Sequence, residues 1–560
     1  MCRFLRLRAR YRKLTQYQLR PPVEDALNLN GRPGFDHCVQ GPYAQVSGLV
    51  RALQKANLAP RASHSQPIKN FKRSKLLAQS ESNQVKRELK TRHLSMIALG
   101  GSIGTGLFVA SGSAIATAGP GGAIAAYVGI GLMVFFLMTS LGEMATYVPV
   151  SGSFSEYASR FVDPAFGFAL GWNYWFNWAI TVAVDVSTTA IVMHFWLPDV
   201  PGWLISMGFL ALIFVINIIS VKSFGETEYW LSLVKIVTVL VFLVVGLLTI
   251  IGIMGGNGPI GLKNYTTGAA PFVGGLPATL AVFVVAGFSF QGTELIGITA
   301  GESATPETSI PKAIKQVFWR ILLFYILSIA IIAAIIPYTS PNLLGASVDQ
   351  VAISPFTLVF DRIGLAGAAS VMNAVFLTSV LSSANSGMYA STRMLWAMGG
   401  SGFAPRVFQK TNNRGIPVAA LLLTTLVGAF TFLTSIMGPH VYQLLVAASG
   451  LTGFLAWLGI AVSHFRFRRA FVKQGHDLSE LKYHAKWFPV GPILAIIMSL
   501  IVIVGQDLQA VQNFAWGRLL VSYMSIPLFI VLFVWYKVKH RTKMIPLDQV
   551  DLSAHRDHRN

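Results

Sequence analysis

Cysteine is nearly absent: the 560 residues hold only Cys2 and Cys38, both near the N-terminal end, so no disulfide can staple the rest of the chain. Charge is scarce as well. Asp, Glu, Lys and Arg make up 12% of the residues and hydrophobic side chains 53%, whereas a soluble domain carries about 25% charged residues. That balance excludes both intrinsic disorder and an ordinary soluble enzyme. The signatures of catalysis are missing too. There is no Cys/His metal cluster, no GxGxxG between a strand and a helix, no GxxxxGK[ST] phosphate loop, and no Ser/His/Asp set outside the apolar runs. The sequence reads as a non-enzyme that needs no metal and no cofactor, and it lacks the soluble nucleotide domain of an ATP-driven pump.

Acidic residues are few against basic ones, 23 to 44, a formal net charge of +21. Taken whole, that excess resembles a nucleic-acid binder. Its distribution excludes this partner: residues 1–93 hold 19 Lys/Arg and 5 Asp/Glu, a net of +14, and the other 467 residues hold 25 and 18, a net of +7. Residues 1–87 form a basic extension with no apolar signal segment behind its first residues. It reads as a disordered cytoplasmic arm, as an arm lying on anionic lipid, or as an over-extended start, although no Met lies between Met1 and Met96.

What the sequence has in abundance is long apolar runs. Twelve fall near 94–115, 122–147, 166–195, 203–220, 231–254, 276–300, 316–338, 363–389, 416–437, 441–464, 488–505 and 518–536. Each is long enough to cross a hydrocarbon core of about 30 Å as a helix. With the N-terminus inside, 22 of the 25 Lys/Arg beyond residue 93 fall on the inner side, Lys235 included, and only Lys263, Arg362 and Arg518 fall outside. This is the positive-inside pattern, with both termini cytoplasmic and residues 541–560 as a cytoplasmic tail.

Two runs are broken in the middle. The first contains GGSIGTGLF, 100–108, and the sixth GFSFQGTE, 287–294. If the first ten spans form two five-helix halves, spans one and six correspond, the pointer to an inverted-repeat transporter with its site near the midplane. Free N–H groups of Gly104, Thr105 and Gly106 suit a carboxylate. Carbonyls around Phe288, Ser289 and Phe290 suit an ammonium, so the two breaks together suit the zwitterionic backbone of an α-amino acid.

Ionisable groups within spans are costly and mark function. They are Asp185, Lys235 and Glu294, whereas Glu143, Glu226 and Glu228 read as interfacial. Lys235, five residues past Trp230, has two readings: a side chain snorkelling to the inner surface, or a titrating cation beside the first break. Asp185 and Glu294 serve either charge coupling or a hydrogen bond to a neighbouring helix.

At GGSIGTGLF, SLGEMATYVPVSGSF, GFALGWNYW, FGETEYWLSLVK, GFSFQGTELIGITAGES and ANSGMYASTRML the chain resembles the amino-acid permeases of the amino acid, polyamine and organocation superfamily, from about residue 88 to about 540. FSFQGTELIGITAGES, IPYTSPNLL and SPFTLVF most resemble bacterial lysine-specific permeases. The resemblance implies an all-α integral membrane fold: twelve transmembrane helices, in two inverted five-helix repeats with helices one and six broken, plus two accessory helices. It implies alternating access and proton coupling in the inner membrane, with Lys235 in the space sodium fills in sodium-coupled relatives. It places the substrate carboxylate at Ser102, Gly104, Thr105 and Gly106 and the α-ammonium at Phe288, Ser289 and Phe290. Gln291 and Thr293 would receive the side chain of a long cationic substrate, lysine, with Asp185 as a further acceptor. Permeases for arginine, histidine or a neutral amino acid are the nearest alternative. A lysine-binding nutrient sensor that signals to a membrane partner is the alternative of a different class.

Overall fold

The computed structural model describes residue 85 and residues 88–553, apart from 102, 109, 256–257, 345–353, 365–366 and 434–438. The N-terminal extension up to residue 84 lies outside the described residues. Helix dominates throughout, and among the described residues the only β-type pairing is one isolated bridge between Leu89 and Ser303. Among the described residues six helical stretches are long and apolar enough to cross a membrane: Ala110–Tyr147, Pro164–Met193, Gly202–Ile219, Val221–Ile250, Gly275–Glu302 and Pro306–Ile335.

The first half runs α1 (Thr91–Gly100), α2 (Thr105–Phe108), α3 (Ala110–Tyr147), α4 (Ser153–Phe161), α5 (Pro164–Met193), α6 (Gly202–Ile219) and α7 (Val221–Ile250). It continues with α8 (Gly275–Phe290), α9 (Leu295–Thr299), α10 (Pro306–Arg320), a π-helical segment Ile321–Leu327, α11 (Ser328–Ile335), α12 (Pro355–Arg362) and α13 (Ala368–Gly400). The last helices are α14 (Val418–Gly428), α15 (Pro439–Lys473), α16 (Val490–Gly505), α17 (Trp516–Tyr523) and α18 (Ser525–His540). α3 is two helices joined at a corner, where Gly119 takes φ +74° and Pro120 starts the second. The positive φ requires glycine and proline suits a first helical turn.

α7 shows how the lipid-facing shell is built. Ser220 caps it through the Ser223 N–H at 2.9 Å, so the helix begins at Val221, and Glu226 and Glu228 lie on its first turns rather than in a loop. Trp230, Val234, Val237, Val241 and Val244 form an exposed apolar stripe, while Glu228, Ser232 and Lys235 are buried. Apolar outside and polar inside is the reverse of a soluble helix and the arrangement a bilayer demands.

At the centre α5 lies against α13 and α15, and α3 against α8. Glu143 is buried on α3, where Arg468 pairs with it and the Ala485 N–H donates at 2.6 Å. Glu228 is buried too, accepting from Ser232 at 3.2 Å and from Ser382. Both readings of an interfacial acid are therefore corrected: partners far away in sequence make burial affordable. Glu226 alone of the three stays partly exposed, paired with Arg92.

Residues 541–553 return as a strap over the ends of α4, α5 and α15. The Ile545 N–H donates to Val162 O at 2.9 Å, Gln474 reaches the carbonyls of Leu547 and Val550 at 2.9 and 2.8 Å, and Arg160 that of Asp551 at 2.7 Å. Partial burial pushes the Asp551 carboxyl up, but the Ser553 hydroxyl and N–H and the Arg160 guanidinium outweigh it and leave it below its ordinary value.

Candidate functional site

At the first break α1 ends with Gly101 N–H on Ile97 O at 2.9 Å and Ile103 N–H on Gly100 O at 3.0 Å, and α2 starts at Thr105. A helix end leaves carbonyls without partners. Here other helices supply them. The Lys235 ammonium of α7 donates to Gly100 O at 3.0 Å, the Arg320 guanidinium of α10 to Ala98 O, and the Ser379 hydroxyl of α13 to Ile103 O at 2.8 Å.

The second break closes mostly on itself. Gln291 N–H bonds to Phe288 O at 3.2 Å, and the Thr293 hydroxyl donates to Phe290 O at 2.6 Å. Gly292, at φ +93°, donates its N–H to Glu294 Oε2 at 3.1 Å. The Glu294 carboxylate also accepts from Trp457 at 3.0 Å and Tyr174 at 3.3 Å.

The two breaks touch. A Cβ on Gly106 would lie 2.4 Å from Ser289 Cα, and one on Gly292 would lie 2.9 Å from Gly101 O. Backbone cannot yield as a side-chain tip can, so glycine at both positions permits the contact. A Cβ on Gly104, by contrast, would meet nothing closer than Ser383 Cβ at 4.0 Å.

Beside the contact lies a cavity. The first break contributes Gly101, Gly104 and Gly106, and the second Phe288 and Gln291. α5 adds Trp178, Thr181, Val184 and Asp185, α13 adds Ser383, and α15 adds Ser449. Asp185 is buried, Ser383 lies beside its carboxyl, and Oδ2 has no hydrogen-bond partner. Gln291 donates to Gly450 O at 2.8 Å, and Thr181 and Ser449 share a hydrogen bond of 2.7 Å.

Of the residues singled out in the sequence, Gly104, Gly106, Phe288, Gln291 and Asp185 meet at this cavity. Thr105 begins α2, and Ser102 lies outside the described residues. Ser289 is turned to Tyr127, with 3.0 Å between their hydroxyl oxygens, and the Phe290 ring stacks on Tyr325 at 4.1 Å. Thr293 is engaged by Arg320 at 2.6 Å, and Glu294 and Lys235 brace the breaks rather than line the cavity. Sequence reading passed over Trp178 and Thr181, although both fall on the helical face of Asp185, at spacings of seven and four residues. Arg320, Ser383 and Ser449 carry no local signal.

Residues 93–547 match the amino acid permease family. The chain belongs to that family. This permease is 60% identical over 498 residues to the lysine-specific permease LysP of Lactococcus lactis subsp. cremoris (strain MG1363), an alignment covering 87% of this chain and 97% of that protein. It is 56% identical over 469 residues to the lysine-specific permease LysP of Escherichia coli (strain K12), covering 83% and 96%. To the histidine permease HisP of the same Lactococcus strain it is 57% identical over 471 residues, covering 84% and 98%. Family and relatives alike are transporters rather than enzymes. The protein is thus a multi-pass membrane permease for amino acids.

Proposed function

We propose that this permease imports L-lysine across the inner membrane by alternating access, coupled to protons. One observation carries the substrate: Asp185, a buried acid on the cavity wall, holds Oδ2 without a partner. A buried carboxylate oxygen left unpaired is costly, and a cationic substrate removes that cost on binding. The lysine carboxylate would lie at the N–H groups of Gly104, Thr105 and Gly106, and its α-ammonium at the carbonyls of Phe288 and Ser289. The ε-ammonium would then reach Asp185, with Gln291 alongside. The names of the two LysP relatives support the same substrate.

Twelve spans, two inverted five-helix repeats with two accessory helices, and inward termini complete the proposal. Contact between the two breaks supports the repeat, and the inner excess of Lys and Arg supports the orientation. Lys235 supports proton coupling because it is a fully buried ammonium held by a break carbonyl, within the transport machinery rather than at the surface. Identity of 57% to HisP favours histidine as a second reading.

Thermal stabilisation of the purified protein by a panel of amino acids separates these, since a ligand that binds only the folded state adds about 2.7 kcal/mol at a hundred times its Kd. Lysine is expected to stabilise most, and Asp185→Asn to erase its advantage over norleucine, which lacks the ε-ammonium. A larger shift with histidine than with lysine, or an Asp185→Asn variant that keeps the preference, would overturn the lysine assignment.

A further inference from the structure

Arg320 is fully buried and touches both breaks. One arm of its guanidinium donates to Ala98 O near the end of α1, and the other to Thr293 Oγ1 at 2.6 Å. Thr293 hands the link on, its hydroxyl donating to Phe290 O, the last carbonyl of α8, at 2.6 Å. The guanidinium therefore ties the C-terminal ends of two broken half-helices together.

Its charge is balanced in an unusual way. The other buried arginines pair with acids, Arg160 with Asp551, Arg393 with Glu302 and Arg468 with Glu143. Among the described residues Arg320 forms no such pair, and its Nε has no partner. Arginine stays protonated, so the compensation is indirect: the buried Glu294 carboxylate acts on the guanidinium without touching it, and the partial negative charge of two helix C-termini adds to it, that of α1 being shared with Lys235.

The helix that carries Arg320 is shaped for the task. α10 passes directly into the π segment Ile321–Leu327, and Tyr325 within it stacks on Phe290 with ring centroids 4.1 Å apart. Residues five apart on an α-helix point about 140° away from each other. The i→i+5 bonding of a π segment brings them towards one side, and such segments are frequent at functional sites. Arg320 and Tyr325 thereby both reach the second break.

We infer that Arg320 is a positioning residue of the transport site, a two-armed staple that fixes the register of the two breaks and so the spacing between the carboxylate and ammonium positions of the substrate. This rests on the reading of the breaks as an amino-acid site. Substrate affinity depends on that spacing, whereas the fold has many other contacts to hold it.

The test uses full-length protein in proteoliposomes with labelled lysine, together with lysine-driven thermal stabilisation in detergent. Arg320→Lys keeps the charge but not the fork. It should raise KM for lysine about tenfold, ~1.4 kcal/mol, and change kcat by less than about threefold, as expected when an interaction common to bound and transition states is lost. Thr293→Val should shift KM in the same direction by less, and the double variant should be no worse than Arg320→Lys alone, the non-additivity of residues in one network. A KM within twofold of the parent in Arg320→Lys, or additive effects in the double variant, would overturn the inference. Should both Arg320→Lys and Arg320→Met fail to fold, Thr293→Val alone decides, and an unchanged KM there counts against the staple. Failure of the parent protein to bind lysine sinks the lysine assignment instead, and the same variants are then read with the amino acid that does stabilise the parent.

Discussion

The two helix breaks solve one problem in opposite ways. The second closes from within, by Thr293 on Phe290 O and Glu294 on the Gly292 N–H, with Trp457 and Tyr174 holding the carboxylate in place. The first is glycine-rich, and its carbonyls are met by Lys235, Arg320 and Ser379 from three other helices. A self-closed break moves as one piece. A break closed by neighbours has to exchange partners when those neighbours shift, which makes the first break the natural place to couple helix motion to charge.

Substitutions at the shared contact should have the largest effect. Gly106→Val places carbon against the Ser289 backbone, where even a Cβ would lie at 2.4 Å. Overpacking of this kind costs about 1–3 kcal/mol, and because it forces the breaks apart, uptake in proteoliposomes should fall below detection while size-exclusion still shows folded protein. Next comes Lys235→Ala, which strips the first break of one borrowed partner. The orphaned Gly100 carbonyl costs about 1–3 kcal/mol, and uptake should lose its dependence on an inward proton gradient. Retained gradient dependence would remove Lys235 from the coupling and weaken the contrast between the breaks. Glu294→Gln at the self-closed break should be milder, because the amide oxygen still accepts from Trp457 or Tyr174. A loss of about 1 kcal/mol in melting and a KM change under tenfold is expected.

The smallest effect is predicted far from both breaks, at the strap. An Asp whose carboxyl is held below its ordinary value of 3.8 stabilises only while ionised. The contribution of Asp551 is thus complete above that pH and is lost as pH falls through its lowered value in the folded state. The protection of residues 541–553 against hydrogen exchange, taken relative to the intrinsic rate at each pH, should be unchanged between pH 8 and pH 5, and Asp551→Asn should lower it only slightly.

The contrast between the breaks also explains what could be read from the sequence. Gly104, Gly106, Phe288 and Gln291 were legible because helix-breaking residues interrupt two apolar runs, and Asp185 because an acid inside a span stands out. Burial of Glu143 and Glu228 is not legible locally, because it depends on partners such as Arg468 and Ser382, more than a hundred residues away. The role of Arg320 is hidden for the same reason. It sits near the end of a span, where an arginine ordinarily snorkels to the surface, and nothing local shows that its partners are Ala98 and Thr293.

The strap carries a last consequence. Tyr147, Arg160, Arg466 and Gln474 hold residues 545–553 chiefly by main-chain carbonyls. Carbonyls are the same whatever side chain sits beside them, so this stretch is free to drift in composition while its length is under constraint: one residue added or removed after His540 would set every later carbonyl against the wrong donor.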